Sequence, residues 1–315
     1  MIKLFQTLKM IHKNPRHFVD LYNIDTDSIN HILNLAHKIK EVNNYSTKLR
    51  SKVLSMIFEK PSTRTRVSFE VGMKQLGGEV VTLDQADTQL GRGESIQDTI
   101  KVISQYADII MYRGSDQKRL DNILSVSEVP IINGLTDISH PCQIMADIMT
   151  LQEVFASIEG LNISWIGDGN NVCNSWIEVN KHFNFNMTIC TPKDFKPDMK
   201  IFKNIKKLGK QIEYSDIPKE AAYNSNVIIT DTWVSMGSKD TEMREKKFWK
   251  YQVNSDLMRL ANDESYFMHC MPAHRGKEVT NDVIDGRKSL VFQEAQNRLH
   301  VQKAILLWCL NQDFS

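Results

Sequence analysis

The sequence predicts an α/β protein with two domains, each a parallel sheet flanked by helices, joined by long interdomain helices. The chain has 315 residues, about twice the length of a typical domain. Short apolar runs alternate with segments whose apolar residues recur three and four positions apart. This alternation is typical of βαβ units, which form parallel sheets with helices on both faces. Because both halves of the chain show it, each half is predicted to form one sheet.

The elements of the first half follow from these patterns. Apolar residues with helical spacing predict helices over residues 25–42, 69–76 and 96–103. The second of these is predicted to end at Gly77 and Gly78. Four apolar runs are predicted strands: VLSMIF (53–58), VVTL (80–83), DIIMY (108–112) and VPIIN (129–133).

The second half repeats the pattern. Its predicted strands are ISWIG (163–167), MTIC (187–190), NVIIT (226–230) and YFM (266–268). A long helical face spans residues 140–158, and we place the domain boundary within it. The predicted domains are residues 1–148 and 149–293, and a C-terminal helix at about 294–315 is expected to fold back on the first domain.

Composition narrows the classes of partner. Lys plus Arg (39) nearly balances Asp plus Glu (38), so neither nucleic acid nor an anionic membrane is an expected partner. No apolar run approaches the roughly 20 residues that span a bilayer. Five widely spaced cysteines favour reduced thiols, and therefore the cytoplasm, over a disulfide framework. The basic first sixteen residues leave a short organellar presequence as an open alternative.

Polar and charged residues follow six of the predicted strands. Ligands of open parallel sheets bind beyond the carboxyl ends of the strands, where the connecting loops converge. One composite site is therefore expected from these strand-end residues: Ser62–Arg66, Arg113, HPCQ (140–143), Asp168 with Asn170 and Asn171, Asp231, and His269 with Cys270.

The segment STRTR (62–66) is best explained by a phosphate. Its hydroxyls and free amides at a helix start favour an anion, and Arg64 can bind two oxygens at once. The glycines and GK[ST] of a Walker loop are absent, so the phosphate need not come from a nucleotide. The simpler alternative is that Ser62 caps the helix and that the arginines are solvated.

In HPCQ, His140 can donate to a carbonyl oxygen and Gln143 can accept from an amide NH2. Arg113 could stabilise charge that develops on that carbonyl. The alternative is a capping histidine and a surface glutamine.

The second half offers weaker motifs. WIGDGNN lacks the third glycine of GxGxxG and is a weak dinucleotide signal; Asn171 and Asp231 could instead hold the charged groups of an amino acid. The polar segment that begins at DTWVSMG (231–237) is interpreted as a mobile lid. HCMPAHRG (269–276) contains three possible zinc ligands, His269, Cys270 and His274. No second cluster of ligands in the sequence completes a set of four. No metal is therefore expected. A lone cysteine usually serves packing, but Cys270 at a strand end could instead place its sulfur or backbone carbonyl beside a nucleophilic amine.

Taken in order, STRTR, HPCQ, DGNN, DTWVSMG and HCMPAHRG resemble the ornithine carbamoyltransferases from about His17 onward. The first two motifs alone would also fit the aspartate enzymes of the wider carbamoyltransferase family. The D-x-x-x-S-M-G loop and the HC-x-P segment favour ornithine. One departure is Met271, where leucine is common, and it should matter little if only its carbonyl is used.

The resemblance implies residue roles. The first predicted domain would bind carbamoyl phosphate and the second ornithine, with Arg113, His140, Asp231 and Cys270 as the catalytic residues. The implied carbamoyl phosphate site comprises Ser62, Thr63, Arg64, Thr65, Gln89, Arg113, His140, Gln143 and Arg298. The implied ornithine site comprises Asn171, Asp231, Ser235, Met236, Cys270 and Met271.

The resemblance also implies an activity in arginine metabolism. Carbamoyl phosphate and L-ornithine would give L-citrulline and phosphate without a cofactor, in a homotrimer whose subunits share active sites through Gln89. Alternatives are transfer to putrescine or acetylornithine, a binding protein without turnover, and an NAD-dependent oxidoreductase built on WIGDGNN.

Overall fold

The computed structural model describes residues 15–42, 46–85, 93–234 and 241–312. Three residues of the predicted site, Gln89, Ser235 and Met236, lie outside these ranges, and their roles stay predictions. Among the described helices, none is both long enough and apolar enough to cross a membrane.

The first sheet has four parallel strands in the order β2-β1-β3-β4. The strands are β1 Val53–Phe58, β2 Glu79–Asp84, β3 Ile109–Arg113 and β4 Ile131–Leu135. The helices up to the interdomain connection are α1 Thr26–Val42, α2 Thr63–Gln75, α3 Ile96–Ile103, α4 Gln117–Leu124 and α5 Pro141–Phe155.

The second sheet has five parallel strands in the order β7-β6-β5-β8-β9. The strands are β5 Asn162–Ile166, β6 Asn186–Cys190, β7 Ile212–Ser215, β8 Val227–Ile229 and β9 Tyr266–Met268. The helices are α6 Asn171–Val179, α7 Met199–Lys207, α8 Pro218–Ala222, α9 Thr241–Phe248, α10 Ser255–Met258, α11 Asn281–Ile284 and α12 Val291–Cys309, with a 3-10 turn at Trp249–Tyr251.

The predicted fold class, two parallel α/β sheets flanked by helices, is confirmed. Each apolar run that was predicted to be a strand overlaps one of the observed strands. Edge strand β7 was not predicted because its sequence, IEYS, is short and only Ile212 is buried. The charged segment interpreted as a lid contains helix α9.

Helix α12 connects the two halves of the molecule. It packs against α1, α2 and α5, and it also contacts β9 of the second sheet. One apolar cluster is shared by both sheets, since it contains Leu54 and Met111 of the first and Ile163 and Trp165 of the second. Across the cleft, Asn171 Nδ2 donates to the carbonyl of Thr136 over 2.6 Å. These contacts fix the carboxyl ends of the two sheets relative to each other.

Gly169, in the loop after β5, provides a test of this packing. A Cβ there would lie 2.2 Å from Pro197 N and 2.4 Å from the Lys196 carbonyl carbon. Because both atoms are backbone, Gly169→Ala should lower the free energy of unfolding by about 1–3 kcal/mol. Gly160→Ala serves as a comparison for backbone strain without a clash, since Gly160 has a φ of 75° and nothing within 4 Å. Thermal unfolding should show a lower midpoint for Gly169→Ala than for the native protein, and a native midpoint would contradict the assigned contact.

Candidate active site

Two guanidinium groups meet at the hydroxyl of Thr65, in the first turn of α2. Arg113 Nη1 donates to Thr65 Oγ1 over 3.1 Å, and Arg298 Nη2 donates to the same oxygen over 2.9 Å. Thr65 is fully buried and Arg298 is 4% exposed. Neither arginine forms an ion pair with a carboxylate in the described ranges, and both Nε atoms lack partners there. Buried like charges without a counter-ion are unfavourable, so this cluster is suited to an anion.

Burial lowers the pKa of Arg113 to about 10, with the neighbouring guanidinium of Arg298 as the next cause and exposed Arg64 adding to the effect. Burial also lowers the pKa of Arg298. Arg113 stays charged at neutral pH, and the mutual repulsion of the three arginines is relieved when an anion binds between them.

An irregularity in the first sheet places Arg113. In the pairing of β3 with β4, Tyr112 pairs with Asn133 but Arg113 pairs with Leu135, so the register shifts at this point. Arg113 Nη1 donates to the carbonyl of the skipped residue, Gly134, over 3.3 Å. Bulges of this kind redirect a side chain at the end of a strand.

The start of α2 is open to a ligand. Ser62 has an extended backbone, with φ −157° and ψ 101°, and its side chain makes no capping hydrogen bond. The capping alternative for Ser62 is therefore not what the structure shows. A cavity of about 770 Å³ opens here. Its lining includes Glu59, Lys60, Ser62, Thr63, Arg66 and Asp84.

The start of α6, after WIGDG, is closed by contrast. Asn170 Oδ1 accepts from the backbone N–H groups of Val172 and Cys173, over 3.0 and 3.1 Å. The amides that a dinucleotide pyrophosphate would need are thus already satisfied. The NAD interpretation of this motif has no support from the geometry.

His140 and Gln143 are buried on the start of α5. His140 is 4% exposed, its backbone N–H donates to Ser175 Oγ over 2.8 Å, and its Nδ1 has no partner in the described part of the chain. Burial, followed by the charges of Arg298 and Arg113, lowers the pKa of His140 well below its usual value. The imidazole is therefore neutral and suited to donate one hydrogen bond. Gln143 Oε1 is buried and also unpartnered among the described residues.

On the second domain, Asp231 lies at the carboxyl end of β8. Asn170 Nδ2 donates to Asp231 Oδ2 over 2.7 Å, and Cys270 Sγ donates to Asp231 Oδ1 over 3.3 Å. Burial raises the pKa of the Cys270 thiol well above its ordinary value, and Asp231 raises it further. Cys270 is therefore a neutral donor in this arrangement, and Asp231 is a carboxylate that could receive a cationic amine.

The segment after β9 is held in an unusual backbone conformation. Met271 has a φ of 55°, in the left-handed region that costs a residue with a side chain about 1–2 kcal/mol. Its N–H donates to His269 Nδ1 over 2.9 Å. The proton of His269 must then be on Nε2, which lies 3.4 Å from a Glu278 carboxylate oxygen. This network fixes the direction in which Cys270 and the Met271 carbonyl point.

Asp231, His269 and Cys270 are close enough to hold a metal ion, with one potential ligand atom from each within 4.8 Å of the others. His269 Nδ1 already accepts the Met271 N–H. Zinc would have to replace the hydrogen bond from Cys270 Sγ to Asp231 Oδ1 and displace the proton of the Cys270 thiol. These donors fit the hydrogen-bonded state better than a metal centre.

Sequence reasoning missed Arg244, which pairs with Asp168 of the expected composite site. Arg244 of α9 donates through Nη2 to Asp168 Oδ2 over 2.6 Å and through Nε to the Trp233 carbonyl over 2.9 Å. Burial raises the pKa of Asp168 to about 7, although the charge of Arg244 opposes this. The only sequence signal for the pair was the position of Asp168 at a strand end.

The structure thus brings most of the predicted residues into one cleft, but in two groups. Thr65, Arg113 and Arg298 are joined by hydrogen bonds, and Asp231 is joined to Cys270. Cys270 is near enough to Arg113 and Arg298 to influence the pKa of both. Asn170 contacts Asp231, and Asn171, a residue of the predicted ornithine site, donates to the Thr136 carbonyl.

Two family descriptions match the chain and together cover most of it. Residues 16–153 match the carbamoyl-P binding domain of aspartate/ornithine carbamoyltransferase, and residues 159–309 match the Asp/Orn binding domain.

Individual proteins are also similar to this chain over most of its length. The ornithine carbamoyltransferase of Nitrobacter winogradskyi is 49% identical over 95% of this chain and 98% of its own length. That of Brucella suis is 48% identical over 94% and 96%. The structure of ornithine carbamoyltransferase from Pyrococcus furiosus has a TM-score of 0.89 and 43% identity over 93% of this chain and 96% of that one. An anabolic ornithine carbamoyltransferase from Campylobacter jejuni has a TM-score of 0.89 and 35% identity over 94% and 99%.

The protonation of His140 can be tested directly. Since its pKa is lowered from 6.5, the imidazole should remain neutral from about pH 6 to pH 8. In the unfolded chain it would take up a proton below its ordinary pKa, so it should reduce stability as the pH falls through that value. Proton–nitrogen NMR of the imidazoles, with His140→Gln for assignment, should show no titration in this range. A midpoint near 6.5 would refute the neutral donor.

Proposed function

The chain belongs to the aspartate/ornithine carbamoyltransferase family, and we propose that it transfers the carbamoyl group of carbamoyl phosphate to the side-chain amine of L-ornithine, giving L-citrulline and phosphate. The observation that carries this proposal is the pair of guanidinium groups on Thr65 that lack a carboxylate partner in the described residues. Carbamoyl phosphate supplies the missing negative charge, and its carbonyl oxygen can accept hydrogen bonds from the same groups.

The two substrates are assigned to different domains. Residues 1–148, with the C-terminal helix folded back, would bind carbamoyl phosphate, and residues 149–293 would bind ornithine. The two family matches, to residues 16–153 and 159–309, support this division, as does the packing of α12 on α1, α2 and α5.

Carbamoyl phosphate would bind first. Its phosphate would lie at the uncapped start of α2, held by Ser62, Thr63 and Arg64. Arg113, His140 and Thr65 would polarise the carbonyl oxygen, while Gln143 Oε1 would accept from the carbamoyl NH2. Arg298 would complete the pocket. Fixed donors of this kind stabilise the oxyanion that forms when the carbonyl is attacked.

Ornithine would then bind on the second domain. Asn171, Ser235 and Met236 would hold its α-amino and α-carboxylate groups. The carboxylate of Asp231, beside Cys270, would bind a positively charged amino group of ornithine. Its side-chain ammonium, whose ordinary pKa is near that of lysine, about 10.4, must lose a proton before it can attack. Exclusion of water from the cleft favours the neutral amine.

Attack by the amine nitrogen forms a C–N bond and a tetrahedral intermediate. The intermediate collapses by breaking the bond from carbon to the phosphate oxygen, and the amine proton passes to the departing phosphate. The leaving group is already activated, so the protein contributes orientation and oxyanion stabilisation. This chemistry requires neither a metal nor an organic cofactor.

We also propose a homotrimer in which Gln89 of the partner subunit reaches the phosphate. Apolar side chains are exposed on α2, with Val67 at 53% and Val71 at 37%, and on edge strand β2, with Val81 at 49%. Burial of these residues against another subunit is consistent with a shared site. A cytoplasmic location is proposed on the basis of the five free cysteines.

A citrulline assay with purified protein, carbamoyl phosphate and ornithine, run with a metal chelator, tests the function. Citrulline should form under chelation. Putrescine, acetylornithine and aspartate serve as competing acceptors, and NADH fluorescence serves as the test for dinucleotide binding. Product from another amine but not from ornithine would overturn the assigned acceptor. Substrate binding without any product would indicate a binding protein.

Arg113→Ala should reduce turnover at saturating substrate by about a hundredfold or more, because one oxyanion donor is lost. Arg259→Ala is the matched control, since Arg259 is exposed and pairs only with Asp256 of its own helical turn among the described residues. Turnover of both variants should be compared with that of the native enzyme. Native turnover in Arg113→Ala would remove Arg113 from the mechanism.

A further inference from the structure

A buried pair of carboxyl groups lies behind the site, and none of the steps above uses it. Asp147 is on α5 and Glu294 is on α12, and they are 2% and 1% exposed. The two carboxyl groups are close enough to influence each other's pKa, and the helices that carry them pack against each other. Glu294 Oε2 accepts no hydrogen bond from an N–H or O–H donor in the described ranges.

This proximity requires a proton. Ionised carboxylates only accept hydrogen bonds, and two negative charges this close together away from water cannot both persist. One shared proton supplies the missing donor and satisfies Glu294 Oε2. Burial raises the pKa of Asp147 to about 7, and burial with the charge of Asp147 raises the pKa of Glu294 well above its usual value. The nearby cation is Arg298, which favours one remaining negative charge on the pair.

Asp147 holds one side of the carbamoyl phosphate pocket. Its Oδ1 accepts from Gln143 Nε2 over 2.8 Å. Because the amide nitrogen is engaged there, Gln143 presents Oε1, which is buried and unpartnered in the described part of the chain. This is the atom that the carbamoyl NH2 needs as an acceptor.

Glu294 anchors the backbone on the other side of the cleft by a hydrogen bond. Its Oε1 accepts from the backbone N–H of His269 over 3.0 Å. His269 directly precedes Cys270, whose thiol donates to Asp231. The pair therefore connects the amide that faces carbamoyl phosphate with the backbone that carries the residue beside the incoming amine.

We propose that Asp147 and Glu294 share one proton and act as a positioning pair, which orients the Gln143 amide toward the carbamoyl nitrogen and anchors the backbone that leads to Cys270. The role in catalysis rests on the proposed carbamoyl transfer, whereas the shared proton rests on the burial of both carboxyl groups, the packing of their helices and the unpartnered Glu294 Oε2. Neither side chain touches the reacting atoms.

Infrared difference spectroscopy tests the proton. At pH 8 the native enzyme should show the C=O stretch of a protonated carboxyl group, recognised by its shift in D2O. Glu294→Gln and Asp147→Asn should each remove that band, because the remaining carboxylate accepts from the new amide and stays ionised. Glu178→Gln is the matched control. Glu178 is also buried, and it accepts from Leu21 N outside the site. Because burial raises its pKa to about 8, Glu178→Gln also identifies the part of the native band that comes from Glu178, and the remaining band should be that of the pair.

Kinetics test the positioning role. Glu294→Gln keeps both hydrogen bonds with a fixed N–H in place of the shared proton, so kcat should stay within about threefold of the native value. Glu294→Met has similar length but no hydrogen bonds, and kcat should fall about tenfold to a hundredfold as Gln143 and Cys270 lose their alignment. The fall in kcat should exceed the rise in KM for carbamoyl phosphate, since Arg64, Arg113 and Arg298 are intact. Glu178→Gln should leave both constants unchanged.

Three results would overturn the proposal: a carboxyl band that is unchanged in both amide variants, a native kcat in Glu294→Met, or a Glu294→Gln enzyme as slow as Glu294→Met. If Glu294→Met fails to fold, the two amide variants and the spectrum still decide the outcome. If the native enzyme forms no citrulline, the carbamoyl transfer is wrong, but the spectrum still shows whether the carboxyl groups share a proton.

Discussion

The arrangement of the cleft depends on positive charge gathered at one buried hydroxyl. Thr65 Oγ1 can accept from Arg113 and Arg298 only if α2, the end of β3 and α12 converge on it. The register shift beside Gly134 directs Arg113 there, and the folding back of α12 brings Arg298. Burying two guanidinium groups together is unfavourable without an anion. The positive charge of this cluster therefore destabilises the empty cleft and favours the binding of an anionic substrate.

Helix α12 serves both sides of the cleft. Arg298 faces the first domain, and Glu294, one turn earlier, holds the His269 backbone of the second. A shift of this helix would disturb both substrate sites together. Its surroundings oppose such a shift, because α12 is buried along most of its length, including Asn297 and Lys303 as well as the apolar residues.

The helices that follow strands β1 and β5 differ in whether their first backbone amides are capped. After β1, helix α2 begins without a side-chain cap, so its first amides are available to phosphate. After β5, Asn170 caps α6 with its own side chain and turns its amide nitrogen toward Asp231. Similar strand–turn–helix units thus give an anion site in one domain and a site for a cationic amine in the other.

By itself, the sequence determined every described strand except β7, the longer helices α1, α2, α5 and α12, the two-sheet architecture and the location of the site at the strand ends. These features depend on residues a few positions apart, whose spacing is visible in the chain. The motifs STRTR, HPCQ and HCMP carried the family resemblance, and with it the role of Arg298. Only the tertiary structure decided that Arg298 meets Thr65 across 233 residues of sequence, or that Asp147 meets Glu294. It also decided that Asn170 contacts Asp231, and that Arg244 pairs with Asp168. Such pairs are set by how distant helices and strands pack and by which charges are removed from water together, and neither leaves a local pattern in the chain.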